Sequence, residues 1–292
     1  MKRLIAFAAL FTIPFLVSAF DWPVEERDII TTFGTNEGDH FAVGLRLAGK
    51  ERAVWAADEG EVVYYWNEEQ KQSALPCGLG NMVAIEHPKG LKSLYGHLEE
   101  FSLSSGEEKN YSVGKRDYIG HIGGSGWTYG NQLAFAVFDS EFHQIVNPLL
   151  VLPSVLDVNE PVIRNVGLRF GDTEIALENG ITIDPGVYNL TAEIFDPSQY
   201  ANLWTPMAAF SISIFVNGSE VKKIVFEALQ ELDGRVIMRS TEKSDFNELY
   251  IEKQKMWLDK LDLISGKTSI EIIVRDYAGN EASIIYQFDV AG

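Results

Sequence analysis

The sequence predicts a mainly β protein built in two successive units, and three observations carry that prediction. Apolar residues recur at period two in short runs, Gly, Asn, Asp and Pro bound those runs, and a pair of prolines divides the chain near its middle. In the first half the runs Glu61–Trp66, Asn81–Ile85 and Gln132–Phe138 read as strands. Asn147-Pro148 through Leu152-Pro153 closes that half. A second series follows in Val187–Phe195, Ala209–Val216, Val221–Phe226 and Thr268–Val274, with a spacing that suits a β-sandwich. Asp276 to Asn280 reads as a tight turn between two strands. One stretch departs from the pattern: in Ser244–Leu261 the apolar residues fall at three- and four-residue steps, as in a helix or an irregular insertion.

Residues 1–19 read as a secretory signal. Lys2 and Arg3 precede an apolar stretch from Leu4 to Val17, and Val17-Ser18-Ala19 offers a small-residue cleavage site. The apolar stretch is about 14 residues, short of the roughly 20 that a spanning helix needs. The expected product is therefore periplasmic or secreted and not an integral membrane protein. The expected organisation is a signal peptide at 1–19, a first domain at 20–153 and a second at 154–292. Cys77 is the single cysteine, so no disulfide can form within the chain.

The chain carries 24 Lys and Arg against 42 Asp and Glu, a net charge of −18. That balance excludes tight binding to nucleic acid, which depends on cationic side chains neutralising phosphates. A hydrophobic content of 46% excludes a disordered chain.

Residues 33 to 152 resemble the M23 family of zinc peptidoglycan endopeptidases, the lysostaphin and LytM type. The resemblance runs through Phe33-Gly34, Gly44-Leu45, Val54-Trp55-Ala56, Gly60-Glu61-Val62 and Gly80-Asn81-Met82-Val83 to Tyr95-Gly96-His97-Leu98. It ends in a glycine-rich approach to Gln132-Leu133-Ala134-Phe135. It implies a LytM-like antiparallel β-sheet core, followed here by an Ig-like β-sandwich. It also implies a zinc site, whose three protein ligands would fall on Ala42, Arg46 and Ala134. None of these is a ligand, and a guanidinium at position 46 repels a divalent cation.

His97 remains of the family's two further histidines, and Gln132 stands in place of the other. The expectation is a non-catalytic relative with no cofactor, in which Arg46, His97, Gln132, Trp127 and Tyr129 converge on one groove. That groove would bind peptidoglycan fragments or a cell-envelope protein, or serve to regulate a cell-wall hydrolase. Trp127 and Tyr129 have two readings, stacking on a ligand or packing on the β-core. The residues also leave open a zinc enzyme with a site rebuilt from Asp39, His40, His97 and His121, and a purely structural envelope or adhesion protein. His40 cannot simply replace Ala42, because two residues along a strand separate them by about 6.6 Å. The second half has no histidine and no cysteine, so it offers no imidazole or thiolate chemistry.

Overall fold

The computed structural model describes residues 20–49, 52–68, 77–101, 111–197, 206–239 and 243–292. The expected signal, residues 1–19, lies outside them. The architecture is mainly β, in several antiparallel sheets.

Among the described residues, the first half contributes most of a branched 13-stranded sheet. Its hub is Leu133–Asp139, which pairs on one edge with Leu91–Phe101. On its other edge lie Leu45–Ala48 and Gln144–Val146. Period-two alternation gives the hub two different faces. Leu133, Phe135 and Val137 are buried with Leu45, Leu47, Val83, Ile85 and Tyr95, while Ala134, Ala136 and Phe138 face away. Burying one such large apolar side chain contributes about 1.5–3 kcal/mol, so the packed face fixes the register. A slip of one residue would turn every one of these side chains outward. Gly44 enters this sheet at a close approach: a Cβ there would lie 2.3 Å from the Phe135 carbonyl oxygen.

The second half forms a two-layer sandwich. One sheet places Val162–Phe170 and Lys255–Leu263 on either side of Gly186–Pro197. The other runs Ser219–Val225, Ser211–Val216, Gly266–Arg275, Glu281–Val290. Between them Leu168, Leu190, Ile194 and Leu258 meet Ile212, Ile214, Ile270, Ile272 and Val274 in one core.

Ser244–Leu261 holds only a single helical turn, Phe246–Leu249, and then becomes the strand Lys255–Leu263. The helical spacing has a physical source. Asp259 pairs with Leu190 and Trp257 with Thr191, so Leu258 is an extra residue on its strand. This bulge converts the buried series Met256, Leu258, Leu261, Leu263 from steps of two into a mixture that includes a step of three.

The two halves are not separate in space. Ala228–Leu232, Arg235–Arg239 and Ser244–Asp245 lie beyond the expected boundary at 153, yet they extend the first sheet through Gln144–Val146. In return Phe33 and Phe41 from the first half are buried in the core of the second. Thr35 Oγ1 accepts a hydrogen bond from the Ala208 amide, and the Tyr250 hydroxyl donates to the Gly34 carbonyl. Gly34 has φ +81°, and a Cβ there would lie 2.3 Å from Phe226, so glycine is required twice over at the joint.

Candidate functional site

The open face of the hub strand carries the site. Arg46 and Ala134 are direct register partners across the pair Leu45–Ala48 and Leu133–Asp139, so their side chains share one face. Ala42 lies upstream on the same chain segment. All three border one cavity of about 320 Å³, lined also by Val43, Leu79, Leu94, Phe138 and Ile145. The lining is apolar except for Arg46 and Glu37.

Those two form a forked ion pair. Arg46 Nε donates to Glu37 Oε1 at 2.8 Å and Nη2 to Glu37 Oε2 at 3.2 Å, with both side chains largely withdrawn from water. The third guanidinium nitrogen, Nη1, lies 3.3 Å from His97 Nε2. His97 Nδ1 lies 2.9 Å from the Ser125 carbonyl oxygen, so this nitrogen carries the proton and Nε2 offers its lone pair to Arg46. Burial holds the imidazole below its ordinary range, and the charge of Arg46 acts in the same direction. His97 is thus a neutral acceptor, held in the left-handed region at φ +63°. A non-glycine residue persists in that conformation only where its surroundings enforce it.

Removing the cation should be visible at this histidine. Arg46→Gln is expected to move the NMR titration midpoint of His97 upward, and an unchanged midpoint would mean that the contact is absent in solution.

Of the five expected groove residues, Arg46 lines the cavity, and His97, almost fully buried, is joined to it through Arg46. Gln132 is buried, and its amide donates to the Thr128 hydroxyl. Trp127 and Tyr129 are 74% and 101% exposed. The Trp127 amide donates to the Gly78 carbonyl, and its ring packs over Gly78. The residue that sequence reasoning missed is Glu37. An acidic side chain just before the motif was its only signal, and its partner emerges only from the fold.

The motif tyrosine has a structural task. Tyr95 is fully buried, accepts a hydrogen bond from the Ala57 amide at 2.8 Å, and is pushed up to about 12 by burial. His40 is exposed, 2.7 Å from Asp39 and 3.4 Å from Glu37, and His121 contacts Tyr118 and Glu100. Among the described residues, Asp39, His40, His97 and His121 do not gather into a set of three ligand atoms. Asp157, Asp196 and Asp276 do, with all three ligand atoms within 4.8 Å of one another. Cys77 is partly buried, its Sγ 3.8 Å from Met82 Sδ. No helix among the described residues is long and apolar enough to cross a membrane.

Residues 39–148 match the family model described as Peptidase family M23, and a separate family model matches residues 160–291. An uncharacterized protein of Treponema pallidum (strain Nichols) is 25% identical over 124 residues, which cover 40% of this chain and 84% of that protein. A zinc-containing peptidase from Vibrio cholerae is 22% identical over 47% of this chain, with a TM-score of 0.37. The match spans 40% of the Vibrio chain. The catalytic domain of the prophage-encoded M23 protein EnpA from Enterococcus faecalis is 22% identical over 43% of this chain and 91% of its own, with a TM-score of 0.35. The SpoIIQ-SpoIIIAH pore-forming complex contains a chain 24% identical over 46% of this one and 90% of its own, with a TM-score of 0.37.

Proposed function

We propose that this chain, whose residues 39–148 match the family model described as Peptidase family M23, is an exported envelope protein in which that domain binds a partner and does not cleave peptidoglycan. The observation that carries this reading is the placement of Arg46. A peptidase zinc site needs three ligands and an open position for water. At the three positions implied for them stand two methyl groups and a guanidinium, and the guanidinium is already held by Glu37 and His97. These residues do not fit a zinc ion. A lone neutral His97 facing a cation has no metal-bound water to deprotonate.

The cavity supports binding in place of chemistry. Its volume of about 320 Å³ and its aliphatic and aromatic lining suit an apolar peptide segment better than a glycan, whose hydroxyls would find only Glu37 and Arg46 as partners. An envelope protein is therefore the favoured occupant, with a peptide arm of peptidoglycan as the alternative.

The decisive measurement is elemental analysis of the purified protein together with an endopeptidase assay on sacculi. Zinc far below one equivalent and no release of peptide fragments are expected. Stoichiometric zinc that is lost on replacing His97 would overturn the reading and restore the enzyme.

A further inference from the structure

We propose that Asp157, Asp196 and Asp276 hold a calcium ion that fastens the connector between the two halves to both sheets of the sandwich. The three carboxylates come from three separate places. Asp157 lies in the connector after Pro153, Asp196 near the end of Gly186–Pro197 in one sheet, and Asp276 just after Gly266–Arg275 in the other. Their ligand atoms all lie within 4.8 Å of one another, close enough for one ion with Ca–O distances of about 2.4 Å to reach all three.

The second observation is independent of the clustering. Asp196 is only 4% exposed, and its Oδ1 has no hydrogen-bond partner among the described residues. An unpaired buried carboxylate oxygen is costly, and the Asp196 carboxylate lies against two further carboxylates. Burial first, and then the charges of Asp276 and Asp157, push Asp196 up to about 8. A divalent cation removes both penalties at once, because it supplies the missing partner and neutralises the repulsion.

The surroundings are shaped around this point. Asp276 accepts from the Gly279 and Asn280 amides through Oδ1, and from Asn280 Nδ2 through Oδ2. The same Asn280 amide group donates to the Asp157 carbonyl at 3.1 Å, tying the connector to the turn. The donor set is oxygen only, which selects a hard cation and disfavours zinc. Three protein carboxylates exceed the one or two by which Mg²⁺, which keeps several of its waters, is usually held, and so favour Ca²⁺.

The test is titration calorimetry of the EGTA-stripped protein with CaCl₂, alongside MgCl₂ and ZnCl₂, and a melting curve at each calcium concentration. One Ca²⁺ per chain is expected, with a Kd of about 10⁻³ M or tighter, and a Tm that climbs with calcium. Asp196→Ala should weaken binding roughly 10- to 100-fold or more and flatten the dependence of Tm on calcium. If that variant does not fold, Asp157→Ala, at a half-buried connector position, should give the same loss. A wild-type protein whose Tm ignores calcium overturns the proposal. So does binding that survives unchanged in the folded variant, or a preference for zinc. None of these outcomes bears on the M23 groove, so the two readings stand or fall separately.

Discussion

Phe226→Ala is expected to cost about 3–5 kcal/mol of stability, the range for truncating a fully buried phenylalanine, and to loosen both halves of the protein together. Phe226 is 1% exposed. Its ring occupies the space beside Gly34, and its carbonyl accepts from Asn147 Nδ2 at 2.8 Å. Gly34 and Thr35 open the segment that carries Glu37, so a cavity at position 226 removes the support under the acidic half of the Arg46 pair. Urea unfolding followed both by tryptophan fluorescence and by far-UV circular dichroism checks this. A single transition displaced to lower urea is the expected result. A loss below about 0.5 kcal/mol, the range of an ordinary surface change, would show that the halves are not packed through this residue.

The second large effect is a gain. Ala42→His, Arg46→Asp and Ala134→His combined should bind zinc at one equivalent, with an affinity at least about 10³-fold above that of the unaltered protein. Positions 46 and 134 are register partners, and side chains so placed have Cβ atoms about 4.5–5.5 Å apart. Ligand bonds of about 2.0–2.2 Å can close that gap around one ion. Position 42 opens on the same cavity, which gives an introduced imidazole room. Glu37, released from Arg46, would then face a cation again. Calorimetry that detects no zinc binding by the folded variant would mean that the strand from 45 and the segment before it no longer converge as the resemblance implies. Cleavage of peptidoglycan would need Gln132→His in addition.

How much of this was legible depends on whether a residue's partner is local. Strands such as Leu133–Asp139 and Gly266–Arg275 were readable because alternation is a property of the strand itself. Lys255–Leu263 misled because its bulge is set by the neighbouring strand, and the extra Leu258 imitates a helical step. Ala42, Arg46 and Ala134 could be placed through the motif. The ion pair of Arg46 with Glu37 could not, since nothing in a strand pattern specifies which acidic group bends back onto the sheet. Trp127 and Tyr129 adjoin the motif in sequence, but the sequence does not specify that the Trp127 amide is held by the Gly78 carbonyl across the fold. The aspartate trio was illegible for the same reason. Its members are ordinary turn and strand-end residues until the sandwich brings them together.

The pairing of Gln144–Val146 with Ala228–Leu232 also orders events in time. A chain made from its N-terminus completes Leu133–Asp139 and its neighbours long before residues 228–245 exist. Contacts between such distant segments bear the loop-closure cost before they return any stability, so they form late. Until then Gln144–Val146 is an open edge, with backbone donors and acceptors available to any passing strand. The later half of the chain therefore acts as the cover that ends this vulnerable interval. A fragment cut at residue 153 would keep the edge bare for its whole lifetime.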